Sequence, residues 1–402
     1  MTTTAELPAV EMSEAWWRQP QATMQPLLDG GHRAAYVPQL GAPMFLRYAD
    51  CRAGLADDRL GAMGARYFEL QGWTTGAFVT WTRRNVVMLD PPDHERLRRL
   101  VNRAFTPRQV ERIRPLVTRI VTELTNELAA AGRVEFVHNF ARLVPLRVIC
   151  ELLGVPFVDQ EQMHGWTEAL SRAAGMPDVA ARRAGDAAME EFNAYVLAMI
   201  AERRRRPSDD LLTALIQAEE AGDRLSNDEL VAMVVQLQFA GHETTRNLVG
   251  NGLYTLLKRP AELARLRANR ALIPSAVDEM LRYEPPITFT SRIAKEPMSM
   301  AGVSIAPGQF VVLMLAVANR DAERFADPNR FDVGRTENDH LSFGHGIHYC
   351  VGANLARMEG AVVFGTLLDR FRTIEFDGEE SDWAAWTPLR GRERLDVRVV
   401  PA

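Results

Sequence analysis

The residue types best suited to chemistry lie together near the C-terminus, in residues 343–352. Glycines at positions 344, 346 and 352 surround Cys350 there, and glycine lets a backbone turn at positive φ or approach a flat ligand closely. A helical pattern starts at Ala353, which places the cysteine just before a helix N-terminus. Exposed amides and the helix dipole lower the pKa of a thiol at such a place. We therefore expect Cys350 to be a thiolate that donates electron density to a metal.

Three other interpretations compete for the same segment. His345, His348 and Cys350 could bind zinc, but a structural zinc site takes four ligands, usually with a second close pair. The glycine pair at 344 and 346 suggests a dinucleotide loop, but Tyr349 occupies the third glycine position and no βαβ pattern surrounds it. A lone cysteine is most often a packing residue. That last interpretation explains the surrounding glycines badly.

Composition limits the classes of function. The chain has 402 residues, a formal net charge of -5 and three cysteines, of which Cys51 and Cys150 suit ordinary packing. Three cysteines cannot form a disulfide framework, which favours a reducing compartment. The net charge gives no electrostatic case for a nucleic-acid partner. The N-terminal residues do not resemble a signal peptide, and no stretch approaches the ~20 apolar residues of a spanning helix. We expect a cytoplasmic protein with no membrane partner.

The elements that must position the cysteine segment are mostly helical. Apolar residues recur at helical spacing in residues 108–131, with Gly132 as the predicted C-cap. Residues 144–153 and 192–206 show the same periodicity, and Ala353 begins a further helix that runs to about residue 371.

One predicted helix is longer than the others. Ser226 with Glu229 three residues later forms a capping box, and no proline follows until Pro260. A helix of these ~30 residues would span ~45 Å and cross the core.

Strand patterns are local. They cover residues 298–300, 303–305, 310–315 and 394–400. The sequence shows no internal repeat and no linker, so residues 1–402 are interpreted as a single domain. The predicted fold class is mainly α with a minor β portion (α+β).

These segments together resemble a known family. Residues 343–352 carry every element of Phe-Gly-x-Gly-x-His-x-Cys-x-Gly and resemble the heme-binding loop of the cytochrome P450 superfamily. Four further segments match the family in its order: Asp90-Pro91-Pro92 with His94 and Arg98, residues 240–245, Glu279-x-x-Arg282, and Pro328-Asn329-Arg330-Phe331. The resemblance implies the cytochrome P450 fold, in which a long central helix crosses over the heme and a cysteine loop lies beneath it.

By this resemblance the cofactor is heme b (iron protoporphyrin IX), and Cys350 is the axial ligand of its iron. Heme has two propionates, which need cationic or hydrogen-bonding partners, and the arginine fork suits a carboxylate. The expected cofactor-binding residues are His94, Arg98, Ala240, Arg292, Phe343, Gly344, His348, Cys350 and Gly352. Of these, His94, Arg98 and His348 match the family's propionate ligands, and Arg292 is a further candidate.

Glu279 and Arg282 are a candidate structural pair, because their i, i+3 spacing places them on one helix face. An exposed pair would contribute only about 0.2–1 kcal/mol. The resemblance implies instead that the pair is buried with Arg330 and serves folding and heme retention.

The long predicted helix carries the candidate catalytic residues Gly241, Glu243 and Thr244. By resemblance, Gly241 leaves room for dioxygen, Thr244 hydrogen-bonds it, and Glu243 supplies protons from solvent. The alternative for Thr244 is a hydrogen bond back to a helix carbonyl. We assign no role to His242.

The resemblance implies a heme-dependent monooxygenase that inserts one atom of O2 into a hydrophobic small organic molecule and reduces the other to water. The sequence has no flavin or nicotinamide domain, so two electrons are expected from an external ferredoxin or flavodoxin and its NAD(P)H reductase. We expect a monomer. Three rival functions are a peroxide-driven heme-thiolate enzyme, a heme sensor or carrier, and a zinc-binding helical protein. The Glu243–Thr244 pair argues against the first two.

The resemblance also predicts the substrate pocket and the surface for the electron donor. The pocket candidates, which could equally be core residues, are Tyr67, Phe68, Trp73, Phe78, Trp81, Leu237, Ala240, Ile287 and Phe289. Such a lining suits a hydrophobic small molecule. Arg83 and Arg84 could meet an anionic substrate, although a surface role is the simpler interpretation. A basic donor-binding face is predicted at Arg99, Arg103, Arg108 and Arg357.

Overall fold

A computed structural model of the chain describes residues 3–105, 107–175, 178–220 and 223–402. Within these ranges the side chains of residues 5, 103, 104, 107, 219 and 220 are not described. The helices are α1 (Glu14–Arg18), α2 (Pro20–Asp29), α3 (Tyr48–Ala56), α4 (Arg66–Leu70), α5 (Ala77–Thr82), α6 (Asp93–Ala104), α7 (Pro107–Arg112), α8 (Arg114–Ala131), α9 (Leu143–Leu153), α10 (Gln160–Ala174), α11 (Val179–Arg205), α12 (Leu211–Gln217), α13 (Asn227–Leu257), α14 (Pro260–Ala268), α15 (Ile273–Tyr283), α16 (Leu315–Ala318) and α17 (Ala353–Arg370).

The strands form a minor part of the fold. They are β1 (Ala34–Val37), β2 (Ala42–Phe45), β3 (Leu60–Ala62), β4 (Arg133–Glu135), β5 (Glu219–Glu220), β6 (Asp223–Arg224), β7 (Thr290–Ala294), β8 (Met298–Met300), β9 (Val303–Ile305), β10 (Phe310–Leu313), β11 (Phe371–Phe376) and β12 (Asp396–Pro401). The largest sheet has the order β1-β2-β10-β7-β3, in which β2 and β10 are parallel and the other neighbours are antiparallel. The predicted class, mainly α with a minor β portion, is confirmed.

The long predicted helix is present as α13, which has 31 residues. Its capping box is also present: the Glu229 N–H donates to Ser226 Oγ at 3.3 Å, and the Ser226 N–H donates to Glu229 Oε2 at 2.8 Å. Two of the first helical donors are thereby satisfied, which fixes where the helix begins. Among the described helices, none combines the length and the apolar character that crossing a membrane requires.

The prediction of one helix over residues 108–131 was wrong. The chain forms α7 and α8 with a break at Ile113, because Pro115 has no N–H and belongs in the first turn of a helix. The predicted C-cap is confirmed, since Gly132 has a φ of 69° and its N–H donates to Leu128 O. The helix predicted from residue 192 begins earlier, at Val179, where Asp178 is the N-cap.

The apolar side chains of α13 belong to two different parts of the core. Leu230, Val234 and Leu237 pack in one cluster with residues of α5, α10 and α11, whereas Leu248 and Leu253 pack in another with residues of α8, α15 and α17. Between these halves the helix is polar and partly accessible. Phe239, Ala240, Gly241 and Thr244 are all incompletely buried, although they lie at the middle of a core helix. The midpoint of α13 therefore lines an internal site.

A glycine in the second half of α13 provides a test of this packing. A Cβ at Gly252 would lie 2.6 Å from Phe364 Cζ and 2.7 Å from Met280 Sδ, so α15 and α17 approach the helix backbone directly. We expect Gly252→Ala to lower the free energy of unfolding by about 1–3 kcal/mol through overpacking. The matched control is Gly250→Ala, where the nearest atom is Val137 Cγ2 at 3.8 Å and alanine gains up to about 1 kcal/mol of helix propensity. Thermal unfolding followed by circular dichroism measures both stabilities. Equal melting temperatures for the two variants would contradict the close packing at Gly252.

Candidate active site

The cysteine segment forms a tight loop immediately before α17. Gly344 and Gly346 have φ values of 71° and 72°, and the Cys350 N–H donates to Phe343 O at 2.9 Å. A Cβ at Gly346 would lie 2.8 Å from Leu55 O, so this glycine is required by close contact with the end of α3. The glycine at 346 therefore serves the packing of the loop, whereas the sequence suggested close approach to a ligand.

Cys350 is a free thiol held in a mixed environment. Burial raises its pKa above the ordinary value, while the Gly352 N–H and the charges of Arg98 and Arg357 act in the opposite direction. The helix N-terminus was expected to lower this pKa, and the Gly352 N–H does act in that direction, but removal from water has the larger effect. A coordinated metal ion would reverse the balance, since a metal-bound thiol loses its proton.

The other two cysteines are packing residues. Both are buried, with the Cys51 S–H donating to Phe45 O at 3.3 Å and Cys150 Sγ lying 3.6 Å from Gln238 Nε2. Burial raises the pKa of Cys150 to about 12 and also raises that of Cys51. Both thiols are therefore protonated at neutral pH, as an ordinary structural cysteine is.

Two arginines and two histidines converge beside the cysteine loop, and we call them the cationic cluster: His94, Arg98, Arg292 and His348. The first two lie one turn apart on α6, Arg292 lies on β7 opposite Ala62 of β3, and His348 ends the short turn Gly346–His348. The rings of His94 and His348 are 4.2 Å apart, and Arg98 donates to Tyr349 O in the cysteine loop. The predicted propionate-binding residues are thus brought together, with Arg292 among them.

The electrostatics of the cationic cluster favour an anionic ligand. Burial and the neighbouring Arg292 lower the pKa of His348 to about 3, and burial with the charge of Arg98 lowers that of His94. Burial lowers the pKa of both arginines as well. Two buried ring nitrogens, His94 Nδ1 and His348 Nε2, have no hydrogen-bond partner among the described residues. Buried polar atoms of this kind usually have a partner.

The candidate catalytic residues lie at the midpoint of α13. The Thr244 hydroxyl donates to Ala240 O at 2.6 Å, which is the back-bonded arrangement that was the alternative for this residue. Its oxygen can still accept a hydrogen bond. Glu243 is 5% exposed, and its Oε2 accepts a hydrogen bond from Arg246 Nη1 at 2.9 Å. Its other oxygen, Oε1, has no hydrogen-bond partner in the described part of the chain.

Gly241 lies against α9. A Cβ at this position would be in ordinary van der Waals contact, 3.4 Å, with two side-chain carbons of Ile149. The expectation that this glycine leaves room for dioxygen stays a prediction. Ala240 and Thr244, one helical turn apart, share the partly accessible face.

The structural triad contains a different third member from the predicted one. Glu279 and Arg282 are fully buried and pair through two contacts of 2.7 and 2.8 Å. Arg330 is exposed, and it contributes its carbonyl to the Arg282 and Arg335 guanidiniums. The third cation on Glu279 is Arg335, whose Nε lies 3.1 Å from Oε2. The prediction of Arg330 was wrong. A turn at Asp327, closed by the Arg330 N–H donating to Asp327 O, leaves the Arg330 carbonyl facing Arg282 and its side chain exposed.

The predicted pocket aromatics are largely core residues. Trp73 and Phe78 stack at 4.7 Å, and Phe68 packs edge-on against both, with all three at most 6% exposed. Trp81 reaches α13, where its Nε1–H donates to Ala232 O at 3.2 Å and its ring lies 6.2 Å from Phe239. Phe239, which sequence reasoning missed, is the partly accessible aromatic of the α13 midpoint.

Three of the remaining predicted arginines, Arg83, Arg84 and Arg357, are engaged in ion pairs. Arg83 pairs with Glu69 at 2.8 Å and Arg84 with Asp228 at 2.9 Å, both at the surface. The Arg357 Nε–H donates to Asp278 at 2.7 Å, and its guanidinium lies 4.5 Å from the Phe343 ring. Arg357 therefore supports the cysteine loop. Of the rest of the predicted donor-binding face, Arg99 and Arg108 are exposed, and the side chain of Arg103 lies outside the described structure.

Comparison with known proteins agrees with this geometry. The sequence model of the family described as Cytochrome P450 matches residues 66–383, which is more than half of the chain. The chain belongs to the cytochrome P450 family. It is similar to cytochrome P450 107B1 of Saccharopolyspora erythraea, with 40% identity over 375 residues that cover 91% of each chain. The 6-deoxyerythronolide B hydroxylase of the same organism is 41% identical over 318 residues, or 78% of each chain.

A solved structure agrees at the level of the whole fold. The crystal structure of P450BioI in complex with a hexadec-9Z-enoic acid ligated acyl carrier protein has a TM-score of 0.89 and 31% identity, covering 96% of this chain and 99% of that one. Cytochromes P450 bind heme b and use O2 with a redox partner, and the chain is a P450 monooxygenase. The residues present fit that cofactor, because the cationic cluster offers unpartnered polar atoms for two carboxylates beside a free thiol.

The corrected triad gives a prediction. We expect Arg335→Met to lower the free energy of unfolding by about 1–3 kcal/mol and to reduce heme retention, because it removes one charged partner from a carboxylate with no access to water. Arg330→Met is the matched control, because its side chain is exposed. It should leave the free energy of unfolding within about 0.5 kcal/mol of the wild type and the heme content per chain unchanged. Thermal unfolding and heme content per chain measure the effect. A larger loss from Arg330→Met than from Arg335→Met would restore the original assignment.

Proposed function

We propose that residues 1–402 act as one heme domain, a monomer in which Cys350 is the axial ligand of the iron. The observation that carries this proposal is the cationic cluster beside a free cysteine at a helix N-terminus. Arg98 and Arg292 supply guanidiniums for the two propionates, and His94 Nδ1 and His348 Nε2 supply the buried polar atoms that need partners. When bound, a heme with a thiolate ligand supplies the electron-rich iron that activates dioxygen.

The proposed reaction is RH + O2 + 2 H+ + 2 e- → ROH + H2O. The protein excludes water, orients the substrate and supplies the two protons. Thr244 would position dioxygen by a hydrogen bond, and Glu243 would deliver protons to the same place. This acid–alcohol pair supports an electron-driven monooxygenase over a peroxide-driven enzyme, and a heme sensor or carrier would have no use for it.

The two electrons are proposed to come from an external ferredoxin or flavodoxin with its NAD(P)H reductase. Support comes from the surface of α6 and α7, where Arg99 and Arg108 are exposed close in sequence to the heme-binding residues of α6. Both kinds of donor are acidic proteins as a rule, and complementary charge accelerates their encounter with a basic face. Arg357 is not part of this proposed surface because its guanidinium faces Asp278 and Phe343.

We propose a neutral hydrophobic substrate of the macrolactone class. The pairing of Arg83 with Glu69 and of Arg84 with Asp228 neutralises the cations that could have bound an anionic substrate. Phe239 and Ala240 offer apolar surface at the midpoint of α13. A relative of similar sequence is a hydroxylase of 6-deoxyerythronolide B, which supports the same class for this chain.

The proposed ligand is tested by replacing each of two cysteines. We expect Cys350→Ser to abolish the red-shifted Soret band that a thiolate-ligated iron gives in its reduced carbonyl complex, because the alcohol is a poor substitute for the thiolate. The control is Cys51→Ser, which replaces a buried thiol that donates to Phe45 O and should leave that band unchanged. Retention of the red shift in Cys350→Ser would contradict the assignment.

The substrate class is tested by titrating the ferric protein with 6-deoxyerythronolide B and with hexadec-9Z-enoic acid. Displacement of water from the iron shifts the Soret band, so the two apparent affinities can be compared directly. We expect the neutral macrolactone to bind at least about tenfold more tightly, or about 1.4 kcal/mol, because the fatty acid brings a carboxylate, and Arg83 and Arg84, which could have received it, are already paired. Tighter binding of the fatty acid would overturn the proposed class.

A further inference from the structure

A group of ionisable side chains lies on the far side of Glu243 from Arg246. His242 is fully buried, and its Nδ1 lies 3.4 Å from Glu243 Oε1 and 3.2 Å from Thr167 Oγ1 on α10. His164, also on α10, packs edge-on against His242 with the ring centroids 5.3 Å apart. The side chain of His164 is 15% exposed, and its Nε2 lies 4.0 Å from Glu168, which is 48% exposed. A series of groups thus runs from the surface of α10 to Glu243.

Three atoms along this series lack partners. His164 Nδ1, His242 Nε2 and Glu243 Oε1 are all buried without a hydrogen-bond partner in the described part of the chain. Each imidazole therefore has one nitrogen near an acidic oxygen or hydroxyl and one nitrogen that is unsatisfied. Three unsatisfied polar atoms in one place are costly, so their retention here indicates a use.

The charges around these side chains decide between two uses, metal binding and proton transfer. Histidine, histidine and glutamate are ligands that a divalent metal ion can take, and their ligating atoms lie within 4.8 Å of one another. However, the positive charges of Arg246 and Arg142 both lower the pKa of His242. The same charges would repel a metal ion at this place. The carboxylates that act on His164 are Glu161, Glu168 and Glu243 itself. All three of these acids are already paired: Glu161 with Arg142 at 3.1 Å, Glu168 with Arg172 at 2.7 Å and Glu243 with Arg246 at 2.9 Å.

The same surroundings suit proton transfer. Burial, together with Arg142 and Arg246, lowers the pKa of His242 well below its ordinary value, and burial with Arg142 lowers that of His164. Both imidazoles are then neutral at pH 7. A neutral imidazole has one N–H donor and one nitrogen acceptor, so it can take a proton on one side and release one on the other.

We propose that His164 and His242 are the proton path by which Glu243 is refilled from solvent at the surface of α10. This inference rests on the proposed role of Glu243 and Thr244. One proton enters His164 from solvent, and His164 releases one from its other ring nitrogen to His242. His242 in turn releases a proton to Glu243, and Glu243 gives a proton to the oxygen site, so that both imidazoles end neutral and Glu243 ends as the carboxylate that pairs with Arg246. Two such transfers supply the 2 H+ of the reaction, while the external iron–sulfur or flavin donor supplies the 2 e-. The histidines act through Glu243 and do not contact the substrate.

The experiment compares electron-driven and peroxide-driven turnover in the holoenzyme, with EDTA present to remove adventitious metal ions. His164→Gln and His242→Gln cannot carry a proton along the path, so we expect product formed per NAD(P)H consumed to fall about tenfold, which is less than the loss of a general acid itself because Glu243 and Thr244 are still present. Hydrogen peroxide brings its own protons and electrons, in RH + H2O2 → ROH + H2O, so peroxide-driven turnover should change by less than about twofold. Equal losses in both assays would mean a merely structural role and would overturn the proposal.

The pH profile and a control residue sharpen this comparison. When the path is missing, solvent must supply protons directly, so coupling in the two variants should rise as the pH falls from about 8.5 to 6.5, whereas the wild type should stay nearly flat. His138→Gln is the matched control, because His138 is an exposed histidine paired with Glu135 at 2.7 Å. A similar loss in His138→Gln, or pH-independent loss in the other two variants, would overturn the path.

A readout independent of turnover is the charge of the histidines in the reduced carbonyl form, which is diamagnetic. NMR titration of protein labelled at its eight histidines, assigned with the single variants, should show His242 neutral throughout pH 6–8. A protonated His242 at pH 7 would overturn the proposal. Thr244→Ala and Glu243→Gln serve as references. If they uncouple the reaction while the histidine variants behave as wild type, only the path fails; if they do not uncouple it, the proposed role of the acid–alcohol pair fails first.

Discussion

The structure around the active site depends on one buried and one partly buried guanidinium next to two imidazoles. Removing Arg98 and Arg292 from water is costly unless an anion compensates them, and both groups show the cost as lowered pKa values. Three elements that are distant in the sequence pack together to form this cluster. They are α6, the β3–β7 pair and the turn before the cysteine. The cluster therefore joins a pair of strands of the largest sheet and the cysteine loop to helix α6.

The long helix α13 meets a second constraint, which is to place polar and ionisable side chains within an apolar core. Its two ends are anchored in separate apolar clusters, so its midpoint can be polar without loss of the packing that holds it. Gly252 allows α15 and α17 to approach the α13 backbone on another face. The polar midpoint then faces the site on one side, through Ala240 and Thr244, and α10 on the other, through His242.

Local features of this structure were predictable because their causes are local. The capping box at Ser226 and Glu229, the C-cap at Gly132 and the pairing of Glu279 with Arg282 each depend on residues within about one helical turn. The family motifs were equally readable, since their spacing is carried by the sequence itself. The break at Ile113 was missed because helical periodicity outweighed a proline that belongs in the first turn of a new helix.

The amino-acid sequence by itself determined the family, the cysteine loop and the order of the main helices. Only the tertiary structure decided which arginine completes the group at Glu279. The Arg335 guanidinium reaches Glu279, whereas Arg330 contributes only its backbone carbonyl, and the sequence does not show this difference. The same holds for the raised pKa of the Cys350 thiol, which reflects burial by distant segments. It also holds for the contact of His164 with His242, which lie 78 residues apart in the sequence and touch only because α10 packs on α13. Contacts and burial of this kind arise from packing, and no local pattern encodes them.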